Sequence, residues 1–406
     1  MSTLQQGQLD LFPAVIQAYV SDEQGVLSNE QLYDRVAQLA GLTEDDYAPS
    51  PVGRNGIPHS VLKRKIRWHQ QTLKHAGVLQ SVQGRRGVWA LADPDGSKDL
   101  KQIAPGMSLL GFSTELGIAV VSSCENFFSR IDEPIHLIVT SPPYPLAKPR
   151  RYGNVTEAQY VDWLCRTLEP VIKLMVPGGS ICINVGNDVF MPNSPARSLY
   201  RERLILALHD RFGLHKMDEL IWEAPKAPGP VQWASNKRVQ LHCGYEPVYW
   251  LTNDPSKVRS NNQRVLQPHT EQHLAYVRSG GAKHTAVQSD GAYRVRPGSY
   301  GRETAGRIPR NLQKFSLTAA DMNKLYREYC EHHGLVRHGA SMPVSLAKFL
   351  IEFLTQKDDL VVDPMAGRLK TGMAAEELDR RWICTDRVFD YVAGSAPCFG
   401  REVSWI

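Results

Sequence analysis

No stretch of this chain approaches the roughly 18 consecutive apolar residues that a bilayer-spanning helix needs, because polar residues interrupt every candidate. Membrane insertion is therefore not expected. The opening residues, MSTLQQGQLDL, have neither a basic segment nor an apolar core, so no secretory signal is read there. Cysteine is sparse. Cys124, Cys165, Cys182, Cys243, Cys330, Cys384 and Cys398 are odd in number, scattered, and free of any Cys-x-x-Cys spacing. That argues against a disulfide framework and for a reducing cytoplasm. Cys330, His332, His333 and His338 match no structural zinc spacing and lack a second ligand pair, so no metal site is expected. There is no internal repeat, and a net charge of +5 is too small to establish a polyanionic partner by itself.

What the chain does have is size and ordinary globular composition. Its 406 residues are 42% apolar and 22% charged, enough for a sizeable core and for two or three domains. The positive charge is also unevenly placed. Lys63, Arg64, Lys65, Arg67, Lys74, Arg85 and Arg86 fall between Ser60 and Trp89 with no acid among them. From Pro255 to Phe315, eleven Lys or Arg residues face only Glu271, Asp290 and Glu303. Two basic islands in a nearly balanced chain fit two surfaces that approach a polyanion, against the plainer reading of solvated faces.

The first ~95 residues read as a unit of their own. Phe12–Val20 is apolar at helical spacing, and Ser28 with Gln31 forms a reciprocal capping pair for a second helix. After the Pro/Gly-marked loop Pro49–Pro58, a third helix runs from about Ser60 to His75. Two short strands, Gly77–Val82 and Val88–Leu91, flank the turn Gln83–Gly87. Helices followed by a basic-tipped hairpin resemble the small winged-helix modules at the N-termini of some restriction-modification proteins. The resemblance implies DNA contacts from Lys63, Arg64 and Arg67 on the third helix and from Arg85 and Arg86 on the wing. A small dimerisation or packing module is the alternative.

Beyond the polar linker Asp93–Pro105 the chain alternates strands and helices. Strands are predicted at Ile118–Ser122, His136–Thr140, Ser180–Val185, Met217–Trp222, Glu246–Leu251, Asp359–Asp363 and Trp382–Asp386. Helices are predicted at Thr156–Met175, Ala196–Phe212, Val344–Gln356 and Thr371–Leu378, with Pro177-Gly178-Gly179 read as a helix-to-strand turn. Such alternation argues an α/β, doubly wound sheet with ligands beyond the carboxyl ends of its strands.

Two segments carry chemistry. Ser141-Pro142-Pro143-Tyr144 follows the strand HLIVT directly. Two prolines stiffen the loop and leave backbone carbonyls without neighbouring N–H groups. Ser141 and the Pro142 carbonyl can accept hydrogens from an amine on a flat ring while Tyr144 stacks on that ring. The second segment, Asp363-Pro364-Met365-Ala366-Gly367, ends a strand. Asp386 closes the next strand about twenty residues later, where an acid can bind ribose hydroxyls.

In these motifs and their order the chain resembles the β-class of DNA amino-methyltransferases, with their (Asp/Asn/Ser)-Pro-Pro-(Tyr/Phe) signature and Asp-Pro-Phe-x-Gly-x-Gly-Thr-Thr methyl-donor loop. The resemblance spans about Ile118–Phe399, apart from much of Thr252–Phe315. Met365 replaces the loop's Phe, Leu369 its second Gly and Lys370 its first Thr, while Thr371 remains, and Ser122-Ser123 stands where Gly-Asp is common. The resemblance implies a Rossmann-like, circularly permuted methyltransferase sheet behind an N-terminal winged-helix-like α+β domain. It divides the chain at 1–95, 106–254, 255–330 and 331–406, with target recognition in the third segment. It implies catalysis at Ser141, Pro142, Pro143 and Tyr144. S-adenosylmethionine would be held by Asp363, Pro364, Met365, Ala366, Gly367, Thr371 and Asp386, with His338, Ser341 and Pro343 around its methionine end. Arg294, Arg296 and Arg302 join the DNA contacts. The expected partner is double-stranded DNA, and the family context admits a cognate restriction endonuclease and a homodimer. The Ser-Pro-Pro-Tyr form favours the exocyclic N4 amine of cytosine in a flipped-out nucleotide. N6-adenine, or a catalytically weak DNA-binding protein with an altered cofactor loop, stay open as alternatives. Trp222, Trp233, Tyr245 and Trp250 are candidates to flank the base, and Pro397-Cys398 is set aside as a nucleophile because it follows the cofactor loop.

Overall fold

The computed structural model describes residues 11–52, 57–75, 78–92, 106–146, 155–223, 231–288, 291, 293–315, 320–339, 341–400 and 403–405; the linker Asp93–Pro105 lies outside them. In the N-terminal unit, helix α1 (Leu11–Val20) precedes strand β1 (Val26–Ser28), helices α2 (Asn29–Ala40) and α3 (Val61–His75), and strands β2 (Leu79–Ser81) and β3 (Val88–Leu91). This is the order of a winged helix, with β3 antiparallel between β1 and β2. Ser28 and Gln31 satisfy each other's backbone N–H at the start of α2, and Gly41 ends that helix at φ 64°. The buried Gln70 amide of α3 donates to the Tyr19 hydroxyl of α1 at 2.6 Å, tying the helices together over Leu32, Val36 and Ile66. The sequence missed β1. It also read Pro49–Pro58 as loop alone, where the chain pairs Ser50–Val52 with Ile57–His59.

The remaining chain builds one ten-stranded mixed sheet. Strands β4 (Ser108–Ser113) and β5 (Gly117–Ser122) lead through helix α4 (Cys124–Phe128) to β6 (Ile135–Thr140). Helix α5 (Glu157–Ile172), strand β7 (Met175–Asn184), helix α6 (Tyr200–Phe212) and strands β8 (His215–Glu223) and β9 (Tyr245–Thr252) follow. The basic stretch holds helix α7 (Glu271–Arg278), the hairpin β10 (Ala286–Gln288) and β11 (Tyr293–Val295), and strand β12 (Leu312–Lys314). Then come helices α8 (Ala320–His332) and α9 (Val344–Leu354), strand β13 (Leu360–Asp363), helix α10 (Lys370–Glu377), strand β14 (Arg381–Asp386), helix α11 (Phe389–Ser395) and strand β15 (Ser404–Trp405). The strand order is β12-β8-β9-β7-β6-β13-β14-β5-β4-β15, parallel from β7 through β5. The end of the basic stretch thus belongs to the sheet, because β12 pairs with β8.

Side chains of the central strands alternate between two cores. Leu137, Val139 and Val361 face one core with Leu346, Ala347 and Met373 of α9 and α10. Ile138, Val362 and Ile383 face the other with Leu164, Leu168 and Val171 of α5. β6 and β13 are neighbours in the sheet, although more than 200 residues of chain separate them. Their following helices, α5 and α10, cover opposite faces, which opens a crevice at the carboxyl ends of those two strands.

Pro177-Gly178-Gly179 is not a turn ahead of the strand, as the sequence predicted, but an irregularity within it. Pairing with β6 jumps from Ile135↔Met175 to Leu137↔Ser180. Gly178 sits at φ 82°, and its N–H is satisfied by Asn253 Oδ1 at 2.9 Å. At the other end of the molecule, Gln17 of α1 hydrogen-bonds His332 of α8 at 3.2 Å, so the N-terminal unit docks on the helix that borders the crevice.

Candidate active site

Thr140 is the last residue of β6, and the chain leaves the sheet as Ser141-Pro142-Pro143-Tyr144. Two polar residues on neighbouring strands fix this corner. The Tyr144 hydroxyl lies 2.9 Å from Asn184 Oδ1, 3.0 Å from Glu246 Oε2 and 3.1 Å from Ser141 Oγ. Ser141 itself donates to Asn184 Oδ1 at 3.2 Å, which leaves its lone pairs free to accept. Burial and the Glu246 charge push the Tyr144 hydroxyl well above its usual range, so it stays protonated. The ring lies against the backbone of Gly186, where a Cβ would come within 2.6 Å of Tyr144 Cδ2. Any larger residue there displaces the ring.

The second loop is held by two aspartates. Asp363 accepts from the Met365 N–H at 3.2 Å and the Thr371 hydroxyl at 2.8 Å. Asp386 accepts from the N–H groups of Gly367 at 2.8 Å and Val388 at 2.9 Å. Burial raises both carboxyls, Asp363 to about 7. Leu369, in place of the family's glycine, takes φ 51° at the start of α10 with its side chain fully buried. The left-handed path survives without glycine.

The two loops meet across a cavity of about 450 Å³, within the usual size for a small-molecule site. Ser141, Pro142, Pro143, Tyr144, Pro364, Met365, Gly367, Asp386, His338 and Ser341 all line it. Asp363, Ala366, Thr371 and Pro343 are not among the lining residues. Asp363 and Thr371 are spent on each other, the Ala366 N–H bonds the Thr385 carbonyl at 2.9 Å, and Pro343 precedes the first turn of α9. These four therefore shape the loop rather than touch a ligand. Of the four candidate flanking aromatics only Trp222 reaches the cavity. Trp250 is turned to Ser180 and Phe353.

Several lining residues escaped the sequence reading: Glu125, Trp163, Asn184, Glu246 and Arg368. Asn184 and Glu246 had a faint signal, one polar residue at the end of an apolar strand. Arg368 stacks on the Tyr326 ring at 3.9 Å and donates to Asn323 Oδ1 at 2.8 Å, while its buried Nε has no partner among the described residues. Lys370, only 9% exposed, is pulled down to about 8 by burial and then by Arg368. Tyr326 also accepts the His338 N–H at 2.9 Å, and the His338 ring packs edge-on against Tyr391. Cys398 is buried and not among the lining residues, and burial pushes its thiol up to about 11, which disfavours the thiolate a nucleophile needs.

The basic candidates separate by exposure. Arg64, Arg85, Arg86, Arg294, Arg296 and Arg302 are exposed. Lys63 is half-buried, over the Tyr33 ring at 4.7 Å and 3.7 Å from Glu30. Arg67, also half-buried, lies beside Tyr33. Among the described residues no cluster of three or more His, Cys, Asp or Glu side chains is disposed to hold a metal ion.

A doubly wound sheet with a proline-stiffened amine-binding corner and an Asp-Pro loop at its switch point defines an amino-methyltransferase. A DNA methylase family model matches residues 135–396, and a model of the Mrr N-terminal domain matches residues 10–99. The chain is 31% identical over 266 residues to the type II methyltransferase M.PvuII of Proteus hauseri, spanning 65% of this chain and 78% of that one. It is 24% identical over 285 residues to M.MjaI of Methanocaldococcus jannaschii, spanning 62% of this chain and 80% of that one. The solved structure of the PvuII DNA methyltransferase (cytosine-N4-specific) superposes with a TM-score of 0.54 at 28% identity, across 71% of this chain and 87% of that one. The chain belongs to the N6/N4 DNA methylase family, whose enzymes depend on S-adenosylmethionine.

The cavity suits that cofactor. Gly367 lies so close to His338 that a Cβ would stand 3.2 Å from its Nε2, which marks a cradle kept open by glycine. The acids Glu125 and Asp386 and the cations Arg368 and Lys370 supply both signs of charge around apolar walls.

Proposed function

We propose that this DNA methyltransferase modifies the exocyclic N4 amine of cytosine in a nucleotide flipped out of duplex DNA. One observation carries the reading: Ser141-Pro142-Pro143-Tyr144 and Pro364, Met365 and Gly367 of the second loop line the same cavity. The Ser-Pro-Pro-Tyr form and the cytosine-N4-specific relative favour cytosine over adenine.

S-adenosylmethionine, when bound, supplies a methyl group made electrophilic by its sulfonium. The residues that hold it are Met365 and Gly367 on the loop, Asp386 and Glu125 as acceptors for hydroxyl and amino groups, and Arg368 and Lys370 as partners for a carboxylate. The work of the chain at the other end is positioning. An aromatic amine is a poor nucleophile because its lone pair is delocalised into the ring. Ser141, with its own proton committed to Asn184, accepts one amine hydrogen and the Pro142 carbonyl accepts the other. These two bonds favour a pyramidal nitrogen and aim its lone pair across the cavity. Tyr144, pinned by Glu246 and Asn184, stacks on the base. The base must leave the duplex to reach this corner.

The boundaries 1–95, 106–254, 255–330 and 331–406 are our proposed division of the chain, with DNA bound by the first segment and target recognition in the third. Seven unpaired cysteines fit work in a reducing cytoplasm. The family's restriction-modification context admits a cognate restriction endonuclease as a companion.

Hydrolysing DNA from expressing cells and weighing its nucleosides by mass spectrometry tests the target base: N4-methylcytosine is expected, and N6-methyladenine would replace the reading. Tyr144→Ala is expected to lose activity by about 100-fold or more while calorimetry shows unchanged cofactor affinity. Equal turnover would remove the stacking role.

A further inference from the structure

A duplex that gives up one nucleotide keeps a gap in its stack, and an apolar side chain inserted there slows the nucleotide's return. The loop between β8 and β9 carries a candidate for that side chain. Trp222 at one end of the loop and Glu246 at the other both line the cavity. Leu241 is 87% exposed, more than any other large hydrophobic residue described, and Val239 two positions earlier is 60% exposed. Five residues of chain reach at most about 17 Å, so Leu241 cannot stray far from Glu246 at the cavity.

A lone exposed leucine needs no explanation. This one stands on a braced loop. The Lys237 N–H bonds the Gln232 carbonyl at 2.8 Å, the Val239 N–H bonds the Trp233 carbonyl at 2.9 Å, and the Gln240 amide donates to the Pro195 carbonyl at 3.0 Å. Arg238 holds the left-handed φ of 55° that turns the chain toward Val239. Lys237 and Arg238 are exposed beside the apolar pair, and residues 231–244 contain no acid. Cations around a presented apolar tip complement a duplex, with phosphates on its rim and stacked bases within.

We propose that Leu241 is a wedge that enters the duplex and holds the gap left by the extruded nucleotide, with Lys237 and Arg238 on the flanking phosphates. The inference rests on the base-flipping methylation proposed above. It is separable from it.

The test uses the whole protein and a duplex bearing its mapped methylation site in two forms. One has the fluorescent analogue pyrrolocytosine at the target position to read extrusion, and one has cytosine there to read turnover, because the analogue's N4 is closed into its fused ring. Wild type brightens the probe on binding, and Leu241→Ala lowers that emission and the single-turnover rate on paired DNA, each on the order of tenfold. A second duplex, with an abasic site opposite the target, weakens the stack in advance; there the variant regains wild-type turnover. Leu241→Ala indistinguishable from wild type on paired DNA overturns the wedge, as does an equal loss on both duplexes. Wild-type protein that methylates no duplex overturns the methylation reading and the wedge together.

Discussion

Leu369 sets two opposing effects against each other within one residue. Its φ of 51° costs a non-glycine residue roughly 1–2 kcal/mol, and its side chain is fully buried in the core beneath α10. Truncating a buried leucine costs about 2.7–5 kcal/mol, so burial wins. Leu369→Gly therefore destabilises the fold by about 1–4 kcal/mol despite restoring the family's glycine, and urea unfolding measures it. Lys370 presents the reverse balance. The lysine is buried, lines the cavity and makes no ion pair with an acid among the described residues. With its folded value near 8, below the 10.5 of a free lysine, its charge works against the fold at neutral pH, and this cost eases as pH rises from about 8 to about 10. Charged below about 8, it attracts a carboxylate. Lys370→Thr is expected to raise the melting temperature at pH 7 while weakening cofactor binding about tenfold, and to flatten the loss of affinity that wild type shows as pH climbs through about 8. Calorimetric titration across that range reads both effects.

At the scale of elements, the loop after β13 depends on two acids that accept from its backbone N–H groups, Asp386 at the cavity and Asp363 behind it. Asp363, raised from 3.8 to about 7, keeps its proton in the folded chain over a range where the unfolded chain has lost it. The folded state binds more protons between about pH 4 and pH 7, so this group's contribution to stability declines as pH rises through that window and is level above it. Asp363→Asn removes the titration. The variant's unfolding free energy, measured against pH, is expected to fall less steeply there than wild type's, by on the order of 4 kcal/mol across the window, since each of the roughly three pH units between 3.8 and about 7 is worth about 1.4 kcal/mol. How much of this was legible follows the same physics. The strand LVVD ended by Asp-Pro, and the strand HLIVT ended by Ser-Pro-Pro, announce themselves because apolar runs and prolines act locally. Asn184 and Glu246 do not, because their role is set by the register of β7 and β9 against each other. Pro177-Gly178-Gly179 misled because the residues that make a turn also make an irregularity inside a strand. The two-residue edge strand β15 and the three-residue β1 offer too short a pattern to read.

For the whole molecule the question is which of its cations meet DNA. Composition placed seven of them between Ser60 and Trp89 but could not say which way each faces. The buried face of α3, Leu62, Ile66, Gln70 and Leu73, turns Arg64 and the 62%-exposed Trp68 outward one helical turn apart. Lys63 is drawn back over Tyr33 instead. Arg85 and Arg86 project from the turn before β3. On the proposed DNA-binding role of this unit, the set that would face a duplex is Arg64, Arg85 and Arg86, with Lys63 contributing little. Each phosphate contact adds about 0.9 to the slope of log affinity against log salt concentration. Replacing the three arginines with alanine is expected to reduce that slope by about 2.7, while Lys63→Ala leaves it nearly unchanged. Fluorescence anisotropy with a labelled duplex at several salt concentrations distinguishes the two variants. Equal slopes for wild type and the triple variant would mean that the N-terminal unit does not touch phosphate, leaving the duplex to the exposed arginines near β11.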